Sequence, residues 1–220
     1  MAIELDASTV HEWPQNEQLT GSHSFAHTCT GSNLVLIVTT GTVSSAGKIT
    51  GVTYAGAAMT KLWDASGSTA NATTGWYLVN PATGSNNVTV SLASATTMWN
   101  GTQGFCAISY KGANPPAAGH YGSTTGYGTA LTLTITTAAD ELIVDSAYCG
   151  AALTVGTGQT RIHGTDTYGV STQPGSTNGD MSWSSASSAW KCIGAVSLGP
   201  YVATGVALPI LLNLQRQFRN

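Results

Sequence analysis

Apolar and polar positions along this chain repeat with the period of an extended strand, not with that of a helix. Leu131-Thr132-Leu133-Thr134-Ile135-Thr136 is the clearest case: when extended, it turns Leu131, Leu133 and Ile135 to one face and the threonines to the other. Val88-Thr89-Val90-Ser91-Leu92 repeats the pattern. Leu34 to Val38 is apolar at every position and predicts a central strand covered on both faces. Further strands are predicted over 22–28, 49–54, 75–79, 104–110, 141–148, 159–163, 180–184 and 190–198. Between them lie clusters such as Thr30-Gly31-Ser32-Asn33 and Pro81-Ala82-Thr83-Gly84, whose residues supply the positive or fixed φ that tight reversals need. Tyr54-Ala55-Gly56-Ala57-Ala58-Met59 reads as a hairpin that turns at Gly56 and returns Tyr54 and Met59 to the core.

Helical periodicity is nearly absent. The exception is Leu208 to Phe218, which fits a helix, a strand or an extended arm. More than ten short strands without βα alternation predict an all-β fold, a two-sheet antiparallel sandwich of jelly-roll-like topology with a C-terminal extension. The sandwich is expected over residues 21–200. Residues 1–20 hold four of the ten acids and read as an N-terminal lead-in, and residues 201–220 read as a C-terminal arm.

Composition narrows the function. Only seven Lys and Arg are present, they are scattered, and the net charge is −3, which argues against a nucleic-acid partner. No apolar run approaches the roughly 18–20 residues of a membrane helix, so no membrane partner is expected. Cys29, Cys106, Cys149 and Cys192 lie 43–77 positions apart, a spacing that fits neither a compact disulfide framework nor paired zinc ligands. They read as small apolar residues, with a cross-sandwich disulfide left open.

Several segments resemble a family of phage and prophage virion-associated β-sandwich domains. They are Ser24 to Asn33 leading into Leu34–Val38, Thr50 to Thr60, Trp76 to Gly84 before Val88-Thr89-Val90, Glu141 to Asp145, Gly158-Gln159-Thr160, and Met181-Ser182-Trp183 followed by Trp190–Leu198. The resemblance implies a jelly-roll-like fold without catalytic residues. Met1 to Asp6 carries no basic and apolar export signal, while the Gly-, Thr-, Ser- and Asn-rich composition suits life outside a cell. Together these lead to the expectation of a protein made in a host cytoplasm and located in the virion.

Searches for reaction chemistry fail one by one. Gly41 to Ile49 has the wrong spacing for a phosphate loop, and Ile49 stands where a magnesium-binding hydroxyl belongs. His23 and His27, on one strand face, would lie about 13 Å apart, too far to share an ion. Asp140 and Glu141 are adjacent and would face opposite sides of a strand. No enzyme activity and no cofactor are expected. Trp76, Trp183 and Trp190 lie in predicted strands and are expected in the core, whereas Trp99, at a turn, and the Gly119–Gly128 stretch with Tyr121 and Tyr127, which reads as a contact loop, are expected at the surface.

The expected function is that of a non-enzymatic virion structural protein, a capsid decoration or cement protein or another head- or tail-associated component. Its partners would be capsid or tail proteins and copies of itself in a homo-oligomer, a trimer. The contact is expected through Leu208, Ile210, Leu211, Leu212, Leu214 and Phe218, an apolar group outside the sandwich pattern. The alternative is a carbohydrate-binding or adhesin-type surface module that binds a surface glycan.

Overall fold

The computed structural model describes residues 2–12, 18–19, 21–42, 46–68, 71–93, 96–97, 104–164, 166–176 and 179–202. Every regular element among them is a β-strand, and all pairings are antiparallel. The central sheet has the order β1 (Glu4–Glu12), β11 (Gly104–Lys111), β4 (Leu34–Thr42), β8 (Asn71–Val79), β7 (Thr60–Ser68). A second sheet contains β3 (Ser22–Cys29), β9 (Gly84–Leu92), β5 (Ile49–Tyr54) and β6 (Ala57–Ala58). The third runs β12 (Tyr121–Ile135), β17 (Gly179–Leu198), β13 (Leu142–Cys149), β16 (Tyr168–Pro174), β15 (Thr160–Gly164), with β14 (Leu153–Val155) also on β17. A two-residue pairing joins β2 (Gln18–Leu19) to β10 (Thr96–Thr97).

The all-β antiparallel sandwich expected from the sequence is present, and it gains a third sheet. The reason lies in β4, where all nine residues are buried. Leu34, Leu36 and Val38 pack into one core with Phe25, Val52, Tyr54, Val88 and Val90 of the second sheet. Val35 and Ile37 point the other way, into a core shared with Val144, Tyr148, Tyr168, Val170 and Val196 of the third sheet. A sheet apolar on both faces needs two covers. Hydroxyl pairs cross the second interface: Thr39 to Tyr168 and Thr73 to Ser146, both at 2.6 Å. Trp63 lies between Gly75 and Gly194, where any side chain would collide with the indole ring.

The third sheet turns a corner and covers its own outer face. The ladder between β12 and β17 slips between Gly128 and Ala130, so that Gly128 pairs with Ala189 but Ala130 with Ser184. Leu131 lies 3.0 Å from where a Cβ on Gly126 would sit, a contact impossible for residues five apart on a straight strand. Beyond the corner Leu133, Ile135, Met181 and Trp183 close a third core over Ile143, Ala147, Ile193 and Ala195. Lys191, 1% exposed, donates to the Gly128 carbonyl at the slip.

Residues 4–12, expected to be a lead-in, form the edge strand β1 and belong to the sandwich. The Tyr54–Met59 hairpin is present, with Ala55 and Gly56 at φ 50° and 81° and both Tyr54 and Met59 buried. The four cysteines are buried and carry free thiols. The residues expected in the C-terminal contact, Leu208, Ile210, Leu211, Leu212, Leu214 and Phe218, lie outside the described residues, as do Trp13 and Trp99.

Candidate functional site

Three acids gather polar partners, and each does so as a fastener between strands. Asp6 of β1, its side chain closed to solvent, accepts from the Thr30 amide at 2.8 Å, from the Thr30 hydroxyl, and from Ser109 of β11 at 2.8 Å. His27 of β3 is fully buried; its Nε2 lies 3.2 Å from Ser109 Oγ and its Nδ1 2.9 Å from Thr9 Oγ1. Since the Ser109 proton goes to Asp6, Ser109 accepts from His27 Nε2–H, and Thr9 donates to Nδ1. A serine nucleophile needs the histidine between hydroxyl and acid. Here the serine stands in the middle, so the arrangement ties β1 to β3 and β11. Burial works to raise the Asp6 pKa, yet the donors from Thr30 and Ser109 and the nearby Lys111 outweigh it, and the net shift is downward. Burial lowers that of His27, against the pull of Asp6, and favours the neutral ring.

Glu141 Oε2 accepts from Ser197 at 2.6 Å, from the Ala138 amide at 3.1 Å and from His120 Nδ1 at 3.1 Å. Burial pushes its pKa up, but these donors together hold it below the usual carboxylate value. An open cleft of about 490 Å³ lies alongside, lined by Ile3, Asp140, Glu141, Leu142, Pro174 and Pro200. The expectation that Asp140 and Glu141 face opposite sides needs correction: both precede β13, in and just after a turn, and both line this cleft. Ser197 is 1% exposed, and its hydroxyl is committed to the carboxylate, so no nucleophile faces the cleft from this cluster.

Asp145 is fully buried in the third sheet. It accepts from the Ser171 amide and hydroxyl at 3.0 and 2.6 Å, from Trp183 Nε1 at 2.6 Å and from Gln159 at 3.4 Å. Burial pushes its pKa up to about 7 against those donors. The four donors come from three residues, on β16, on the folded-over part of β17 and just before β15, so Asp145 pins the corner to the sheet beneath it. Among the described residues, no three of His, Cys, Asp and Glu come together as a metal site. Asn71, the first Asn-x-Thr position, is buried and donates to the Trp190 carbonyl at 3.0 Å.

The exposed face of β12 is uncharged. On β12, Tyr121, Ser123, Thr125 and Tyr127 are exposed along one face, while Gly122, Thr124 and Gly126 turn toward the folded-over half. Tyr127 is 66% exposed and pairs in the ladder with Trp190, 46% exposed; their rings meet edge to face at 5.7 Å. Trp76 and Trp183 occupy the core as expected, but Trp190 does not. It follows the corner of β17 directly, whereas Cys192 and Val196 farther along the same face are buried. The Gly119–Gly128 stretch is therefore at the surface, but as a strand: its glycines lie where the chain passes over its own continuation. No family model matches the chain, and no curated protein or solved structure shows a significant similarity to it.

Proposed function

We propose that the chain is a non-enzymatic structural component of a phage particle, a capsid decoration or cement protein or another head- or tail-associated protein, that works by burying surface against neighbouring subunits. The observation that supports this best is the division of its polar chemistry. Asp6, Glu141 and Asp145 are engaged in fastening strands, while the exposed strip on β12 and β17 offers rings, hydroxyls and backbone without charge. Interfaces of about 800 Å² per partner, repeated over many copies, suit such a surface. The resemblance of the strand and turn segments to virion-associated domains points the same way, and the aliphatic group from Leu208 to Phe218 supplies a further contact. Co-sedimentation with purified phage particles tests the reading: the full chain loads in many copies, and a chain ending at residue 202 does not. Failure of the full chain to load sinks the reading; full loading of the shortened chain removes the tail from it.

The Tyr127–Trp190 pair favours a second reading, a surface module that stacks a neutral sugar on exposed rings. In that case Trp190→Ala abolishes retention on immobilised glycans, and the chain ending at residue 202 is retained as well as the full one.

A further inference from the structure

Sheet edges are templates for pairing with another chain, and proteins that stay apart obstruct them with charge, proline, bulges or brevity. Five of the six edges of the larger sheets other than β12 are obstructed in this way or short. β1 carries Glu4, Asp6 and Glu12 with a register slip after Leu5, and β7 carries Lys61 and Asp64 with two slips. β15 carries Arg161 and His163 with a slip between them, and β6 and β14 have two and three residues. The sixth, β3, carries His23 and His27 and has β1 fastened across it. β12 is the longest of the seven, at 15 residues, and contains no Asp, Glu, Lys, Arg, His or Pro. Along its outer side it has no ladder partner among the described residues.

The straight part of β12 before the corner reads Tyr121-Gly122-Ser123-Thr124-Thr125-Gly126-Tyr127, nearly the same in both directions. Two copies laid antiparallel about a two-fold axis through Thr124 put Tyr121 opposite Tyr127, Gly122 opposite Gly126 and Ser123 opposite Thr125. Aromatic rings then meet rings and hydroxyls meet hydroxyls, both favourable cross-strand pairs, while the glycines meet on the inner face. A contact that uses one patch twice is the isologous kind that closes a dimer. We infer that the partner of this edge is a second copy of the same chain, joined through β12 into one continuous sheet of twelve strands, two copies of the six-stranded sheet. The partner's Tyr121 then adjoins the Tyr127–Trp190 pair and covers the exposed rings. A dimer, and not the trimer expected with the virion role, is the unit this edge builds. The inference deepens the surface-contact reading by naming a partner, and it fails separately: a monomer that still loads onto particles sinks this inference alone.

Sedimentation velocity of the full chain over a range of concentrations tests it. The wild type dimerises. Ser123→Lys/Thr125→Lys sets lysine against lysine twice across the axis and weakens association at least about tenfold. Ser123→Glu/Thr125→Lys sets glutamate against lysine twice and restores it. A wild type that stays monomeric at the highest concentration reached, or a double-lysine chain that associates as tightly as the wild type, overturns the inference. As a check independent of those charges, Thr124→Cys, at the axis, forms an intermolecular disulfide with oxidised glutathione as oxidant; no cross-linked dimer also overturns it.

Discussion

The two outer strands β1 and β12 face opposite problems. β1 closes the central sheet beside β11 and is fastened by its own side chains, Asp6 and Thr9, to β3 and β11. β12 closes the third sheet beside β17 and leaves its hydroxyls and rings exposed on the face that borders β7, with only glycines and Thr124 turned toward the folded-over half along 121–127. One edge is finished within the chain and the other is left open. A polar residue near an edge strand does not by itself mark a site. At β1 the titratable groups complete the fold, and at β12 their absence is what leaves the backbone available.

The largest effect is expected at the corner of the third sheet. Trp183→Ala empties the third core over Gly169 and takes a donor from Asp145, at a cost of about 4 kcal/mol in chemical denaturation. Dimerisation falls with it, because the corner orients β12. Asp6→Ala acts on the other edge. It leaves the Thr30 amide and the Ser109 hydroxyl without their acceptor and costs about 2–3 kcal/mol, with association at β12 unchanged.

The acids predict opposite pH responses. Asp6 and Glu141 are held below their ordinary values in the folded chain, so their stabilisation is present above about pH 4–5 and is lost as the pH falls through their folded values. Neutral, buried His27 adds to the loss below about pH 6.5, where the unfolded ring protonates. Asp145 works the other way. Between its ordinary 3.8 and about 7 the folded chain holds a proton that the unfolded chain has released, so its contribution declines as pH rises across that window. Thermal melts of Asp145→Asn from pH 4 to 7 therefore show a smaller decline, or a larger gain, with rising pH than the wild type does; identical slopes contradict the assignment. The smallest effect belongs to the open edge itself. At concentrations where the chain is monomeric, Ser123→Lys/Thr125→Lys changes unfolding stability by no more than about 0.5 kcal/mol, since both side chains are exposed.

Much of the sandwich was legible in the sequence because period-two alternation and uninterrupted apolar runs report directly on burial. Leu34–Val38 announced a strand covered on both faces, and the Tyr54–Met59 hairpin followed from its turn residues. The third sheet was harder to read, since strand count alone does not say how strands divide among layers. β1 looked like a lead-in because its acids lack local partners; the donors to Asp6, Thr30 and Ser109, lie 24 and 103 residues away. β7 was hidden by Lys61, Asp64 and two register slips. The first half of β12 looked like a loop, because glycine is the residue a strand needs when it crosses its own continuation, and also the residue most often found in turns. The candidate surface was therefore located but misread as to form, and Trp190 joined it only when the corner of β17 became visible.

The most direct test of the open edge is amide hydrogen exchange of the full wild-type chain at low and high protein concentration. Outward-facing amides within 121–127 are expected to exchange at least about tenfold more slowly at high concentration, while those of β1, residues 4–12, exchange at one rate throughout. Concentration-independent exchange along β12 would contradict pairing through this edge.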